Sequence, residues 1–244
     1  MHRFYAPSFA ADAVFELPED EARHVSRVLR MHAGDSIAVF DGQGREAVAR
    51  VETVSATRVS VKVIEPRSPA PEPRVGVTLA QALLKSDKMD RVIRDAVMLG
   101  VAAVQPFVSR RTDVPIKAVA EGGRQDRWDR TVISSVKQCG RAVVPLVHPT
   151  KALHDVLTST AAETRLMFVE PGARAGVADL TGLEGQRPST AMVLIGPEGG
   201  WDAAELDAAT KAGVTLVTLG RRTLRADAAA AAAIAVLQYV WKDL

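Results

Sequence analysis

Through the first 65 residues apolar side chains alternate with polar ones in short runs, the period of half-buried strands. His2-Arg3-Phe4-Tyr5, Ala13-Val14-Phe15-Glu16-Leu17 and Ser36-Ile37-Ala38-Val39-Phe40 are predicted strands. Asp41-Gly42-Gln43-Gly44 is a hairpin signal leading into the alternating runs 47–51 and 59–63. One helix interrupts them. Pro18-Glu19-Asp20-Glu21 has a proline-led, acidic helix start, after which Ala22, Val25, Val28 and Leu29 share one face and Arg23, His24, Arg27 and Arg30 lie mostly on the other. Short antiparallel strands with so little helix predict a small barrel.

Between Pro66 and Pro73 four prolines in eight residues predict a stiff, extended linker, and the domain boundary is placed there: residues 1–70 before it and 74–244 after it. Beyond the linker the rhythm changes. Residues 75–84 are strand-like, and Met89, Val92, Ile93, Ala96 and Val97 form a helical stripe closed by Gly100. Strands follow at 101–108, 143–147 and 165–169, with helices around Trp128 to Val136 and Leu153 to Leu157. Alternating strands and helices predict a mostly parallel sheet covered on both faces.

Two turns near the C-terminal end carry the candidate chemistry. Ala191-Met192-Val193-Leu194 runs into Ile195-Gly196-Pro197-Glu198-Gly199-Gly200-Trp201, and Asp202 with Glu205 then has the spacing of a capping box. The second turn repeats the plan: residues 214–219 are strand-like, Gly220 to Arg225 form the turn, and an alanine-rich helix follows. Two adjacent strand-loop-helix units predict a crevice at strand C-termini, where open α/β sheets hold ligands.

Composition narrows the class. With 244 residues and 47% hydrophobic content the chain can bury the cores of two small domains. No segment approaches the length of a membrane span and no apolar run follows Met1, so a soluble, cytoplasmic protein is expected. Cys139 is the one cysteine, which excludes an intrachain disulfide, and five scattered His lack ligand spacing, so no metal is expected. Net charge is only +2, yet residues 85–141 hold 12 basic against 7 acidic side chains, a modest basic zone suited to phosphate.

The paired loops, Leu194-Ile195-Gly196-Pro197-Glu198-Gly199-Gly200 and Leu219-Gly220 with Arg222 and Leu224-Arg225-Ala226-Asp227, resemble the cofactor signature of the SPOUT RNA methyltransferases. Within that superfamily the chain is most similar to the ribosomal RNA small subunit methyltransferase E family. Phe4, Arg27 to Arg30 and Gly34-Asp35 fit the family's N-terminal pattern; Gln81, Lys85, Lys88 and Asp90 fit a second region, and Gln138, Gly140 and Arg141 a third. The resemblance implies an α/β fold in which a SPOUT-type α/β-knot (trefoil-knot) methyltransferase domain follows a small PUA-like β-barrel that binds RNA. It also implies S-adenosylmethionine (SAM) as methyl donor, N3 of a uridine in the 16S rRNA of the small ribosomal subunit as target, and a homodimer with the helix 228–244 near its interface.

The resemblance places Leu194, Ile195, Gly196, Pro197, Glu198, Gly199, Gly200, Leu219, Gly220, Leu224 and Arg225 around the cofactor, with the glycines letting backbone approach it closely. Uracil N3 holds its proton at neutral pH, so the site must assist its loss and spread charge onto O2 and O4. A guanidinium, Arg225, suits those oxygens, and Asp227 or Glu198 is the candidate proton acceptor. His24, Arg27, Arg30, Lys85, Lys88 and Arg141 are the candidate RNA contacts. The chain departs from the family pattern at four positions. Asp227 and Ala228 stand where Glu and Thr are usual, and Ser134 and Lys137 replace glutamates. Two other functions compete: a SPOUT 2′-O-ribose methyltransferase, whose third motif usually contains an Asn absent here, and a non-catalytic RNA-binding ribosome-assembly protein, for which both loops would be superfluous.

Overall fold

The computed structural model describes residues 1–114, 123–159, 161–173 and 177–243, which fall into two compact units. Met1–Glu72 with Ile133–Val144 forms one, and Pro73–Val132 with Pro145–Leu244 the other.

In the first unit β1 (Arg3–Tyr5), β2 (Val14–Glu16), β3 (Ser36–Phe40), β4 (Glu46–Val54) and β5 (Val59–Arg67) form a five-stranded sheet in the order β1-β3-β4-β5-β2. It is antiparallel except where β1 runs beside β3. Alternation sends Ile37, Val39, Ala49, Val51, Val59, Val61 and Val63 into one core with Phe4 and Val25. The β3–β4 hairpin is fixed by Asp41, whose carboxylate accepts from the backbone N–H groups of Gln43 (2.7 Å) and Arg45 (3.0 Å) and from Arg45 Nε (2.7 Å). Strand β5 runs through Pro66 and Arg67, where an extended linker is predicted. Its outer neighbour β2 pairs only with residues 60–62, so the missing N–H of Pro66 leaves no partner wanting.

The predicted helix is shorter and less regular than its apolar stripe. α1 (Glu19–Arg23) passes directly into a π-helical turn, His24–Val28. The wider turn rotates Val28 off the apolar face, leaving it 69% exposed while Ala22 and Val25 stay fully buried.

The second unit is a parallel sheet of seven strands among the described residues. β6 (Gly76–Ala82), β7 (Ala103–Val108), β8 (Leu146–Val147), β10 (Thr164–Phe168), β11 (Thr190–Ile195) and β12 (Thr215–Val217) lie in the order β12-β10-β11-β6-β7-β8, with β9 (Lys151–Ala152) also on β7. Among the described residues four α-helices belong wholly to this unit: α2 (Lys88–Met98), α4 (Leu153–Ser159), α5 (Ala203–Lys211) and α6 (Ala226–Val240). Helix α3 (Arg124–Cys139) is divided, its residues from Ile133 onward belonging to the first unit. Central β11 buries Ala191 to Ile195 continuously, as a strand covered on both faces must. The stripe Met89, Val92, Ile93, Ala96, Val97 is buried on α2 as its spacing predicts. The helix closes on Gly100, at φ +88°.

Candidate functional site

The strand order places three C-terminal ends side by side: Phe168 of β10 is in register with Ile195 of β11 and with Val217 of β12. The two motif-bearing strands, read from sequence as adjacent, are therefore separated by β10. Apolar runs announce strands but not their neighbours, and the loop after β10 supplies a wall that the motifs did not announce.

A pocket of about 760 Å³, including its open mouth, lies over these ends. Phe168, Val169, Glu170 and Pro171 form one wall; Ile195, Gly196, Pro197, Glu198 and Trp201 the second; Thr218, Leu219, Arg222, Thr223, Leu224 and Arg225 the third, with Ala226 and Ala229 of α6 alongside. Its apolar surfaces suit a flat heterocycle. Two carboxylates and two guanidiniums complete it. Leu224, exposed by 40%, forms part of the third wall.

Trp201 ties the walls together. Its indole Nε1 donates to the Phe168 carbonyl at 2.8 Å, and its ring stacks on Phe107 of β7 at 6.0 Å between centroids. A Cβ on Gly196 would lie 2.9 Å from that ring, so residue 196 must be glycine to admit the tryptophan. The next helix begins as its spacing predicts. Asp202 caps α5, Glu205 closes the capping box, and Glu205 also accepts from the backbone N–H of Arg110 at 2.8 Å.

Several expected site residues stand elsewhere. Gly199, Gly200 and Gly220 do not line this pocket. A side chain on Gly199 would meet the backbone and side chain of Arg111, and one on Gly200 (φ +70°) would meet the Glu170 carboxylate at 2.7 Å. Both line an adjoining cavity that shares Glu170, Pro171, Glu198 and Trp201 with this pocket. Leu194 is fully buried in the apolar core under the sheet. Asp227 also lies off the lining, paired with Arg225 through Nε at 3.3 Å, while the Arg225 side chain is 71% exposed at the pocket. Glu198 lines the pocket and is held by Lys88 Nζ at 2.8 Å. Lys85 pairs with Asp113 at 2.7 Å; that hydrogen bond and its charge, with a further contribution from Glu198, raise the lysine's pKa above its usual value.

Among the candidate RNA contacts of the first unit, Arg27 and Arg30 are exposed. His24 is half-buried, its ring edge-on to Phe4 at 5.9 Å. Arg141 is a correction: it is only 4% exposed and its Nε donates to both carboxylate oxygens of Glu72 at 3.0 Å, so it holds the fold together and offers no surface to RNA. Lys137, a departure from the family pattern, pairs with the buried Glu21 at 2.6 Å and sits 5.1 Å from the Phe4 ring centroid. Its charge answers a buried partner.

The family comparisons decide the class of the chain. An RNA methyltransferase domain model matches residues 71–238, and an RNA methyltransferase PUA domain model matches residues 17–64. Ribosomal RNA small subunit methyltransferase E of Mycobacterium bovis is 30% identical over 230 residues, covering 91% of this chain and 85% of its own. The chain belongs to the ribosomal RNA small subunit methyltransferase E family. The Bacillus subtilis member is 27% identical over 92% of this chain and 90% of its own. The crystal structure of the Neisseria gonorrhoeae member bound to S-adenosyl methionine superposes with a TM-score of 0.89 at 33% identity, covering 99% of this chain and 98% of that one. The expected fold is confirmed: a SPOUT-type α/β methyltransferase domain and an N-terminal PUA-like barrel. Among the described residues no helix is long and apolar enough to cross a membrane.

Proposed function

We propose that this chain transfers the methyl group of SAM to N3 of a uridine in 16S rRNA, with the cofactor in the pocket over β10, β11 and β12. One observation carries the reading: the family's two signature loops converge on a single pocket with apolar walls and Arg225 at its mouth. The reaction forms an N3–CH₃ bond as the S–CH₃ bond breaks, releases S-adenosylhomocysteine, and sends the N3 proton to a base. Arg225 stabilises the uracil anion through its oxygens. Asp227, held on that guanidinium, and Glu198, on the pocket wall, are the two candidate acceptors. Arg27, Arg30, Lys85 and Lys88 supply phosphate contacts in this reading. The enzyme works in the cytoplasm, on free rRNA or the small subunit, as a homodimer through α6.

The test is to incubate the protein with radiolabelled SAM and small ribosomal subunits lacking the modification, then map the labelled nucleotide. Label on a uracil base is expected. Label resistant to alkaline hydrolysis at a ribose identifies a 2′-O-methyltransferase instead, and absence of both SAM binding and transfer leaves only an RNA-binding role.

A further inference from the structure

Three carboxylates stand at or beside the pocket, and two of them are already engaged, Glu198 by Lys88 and Asp227 by Arg225. The third, Glu170, follows the end of β10 and lines the pocket. Among the described residues no hydrogen bond or ion pair holds its side chain. Yet the side chain is half-buried, and its Oε1 lies so close to the loop that any Cβ at Gly200 would sit 2.7 Å from it. A carboxylate taken partly out of water and given no donor loses hydration without compensation unless a ligand supplies the donor. The small residues around it keep that space open: Gly200 beside it and Gly172 two residues on, where an added Cβ would meet nothing within 4 Å.

We propose that Glu170 is a cofactor-binding residue, its carboxylate accepting hydrogen bonds from donor groups of the bound SAM. The inference rests on the reading that SAM occupies this pocket. SAM carries three kinds of donor able to satisfy such a carboxylate: the adenine 6-amino group, the ribose 2′,3′-diol and the ammonium of its methionine portion. All belong to one ligand, and an analogue separates the nucleoside donors from the ammonium: 5′-methylthioadenosine keeps the adenine and the diol and lacks the amino acid. Glu170 was invisible to motif reading because it lies outside both loops, after a strand with no glycine signature.

Calorimetric titration of the wild-type protein, Glu170→Gln and Glu170→Ala with SAM and with 5′-methylthioadenosine tests this. Glu170→Gln keeps the shape beside Gly200 while removing the charge and replacing one acceptor oxygen with an amide donor, and melting curves confirm that each variant is folded. A loss of about tenfold to a hundredfold in SAM affinity is expected, the scale for losing a hydrogen bond to a charged group. An equal loss for 5′-methylthioadenosine assigns Glu170 to the nucleoside part, the diol or the adenine amine, and a loss for SAM alone assigns it to the ammonium. Wild-type binding with both variants within twofold of it for both ligands overturns this inference and leaves the function standing. Failure of the wild-type protein itself to bind SAM removes the reading on which the inference depends.

Discussion

One side chain, Trp201, joins three strand ends by three different interactions: a hydrogen bond to β10, ring stacking on β7 and packing on the bare Cα of Gly196 after β11. Trp201→Phe keeps the aromatic stacking and deletes the donor to the Phe168 carbonyl, so a loss of roughly 1 kcal/mol in unfolding free energy is expected by urea denaturation. Gly196→Ala pushes a methyl into the ring and should cost more, about 1–3 kcal/mol. Equal stability of all three proteins would show that Trp201 is not the keystone. Asp41 offers a pH test. Burial works against its charge, but the Arg45 side chain and the backbone N–H groups of Gln43 and Arg45 prevail and hold its pKa below the usual 3.8. The folded value lies below the unfolded one, so the stability it contributes is present above the unfolded pKa and lost as pH falls through the folded pKa. Asp41→Asn should therefore be destabilised at neutral pH by about 1.5–3 kcal/mol. The gap to wild type should narrow below the usual carboxylate range, and a gap undiminished in acid contradicts the assignment. The turn at Asp41-Gly42 was legible because it depends on neighbours in sequence. The reason for Gly196 was not, since its partner is a ring that only the folded chain brings there.

At the scale of elements, the helix starts and stops that rest on local chemistry were readable: the Asp202 and Glu205 capping box, the Gly100 stop and the buried stripe of α2. What local pattern could not show was strand order, hence the β10 wall, and the π-helical turn that moves Val28 outward. Lys137, on the part of α3 within the first unit, lies between these cases. Its departure from the family pattern is visible in sequence, but its partner Glu21, 116 residues away, is not. The pair is largely buried, with side chains 19% and 5% exposed, so Lys137→Glu sets two carboxylates together. It should destabilise the fold by about 3–5 kcal/mol, and the charge-swapped double variant Glu21→Lys with Lys137→Glu should recover part of that loss. Lack of recovery would mean that packing on Phe4, rather than charge pairing, explains the lysine. Arg225 precedes α6 as its N-cap but makes no side-chain capping bond, so its side chain can be removed without opening the helix start. Arg225→Ala should slow methyl transfer by about two to three orders of magnitude with SAM affinity little changed. Loss of RNA binding with an intact single-turnover rate would instead make it a docking residue.

For the whole molecule, the decisive surface is the outer side of α6. Its inner side buries Ala230, Ala233, Ile234 and Leu237, while Val236 and Tyr239 remain 37% and 75% exposed beyond a run of alanines. Met98, at the end of the α2 that packs against α6, is exposed by 37%. Small residues at Ala228 and Ala232 let a second backbone come close, and Val236 with Tyr239, one helical turn apart, give it apolar area to cover. The last expected residue of this surface, Leu244, lies outside the described residues. A homodimer through α6 therefore requires apolar contact at these positions. Light scattering at micromolar concentration should give twice the chain mass for the wild-type protein. Val236→Glu with Tyr239→Glu should give a folded monomer, because each carboxylate would be desolvated without a partner at the interface. A wild-type monomer sinks the dimer itself. A variant that stays dimeric moves the interface to another face, and comparing the SAM affinity of the two assemblies would then show whether the pocket beside the start of α6 depends on the second copy.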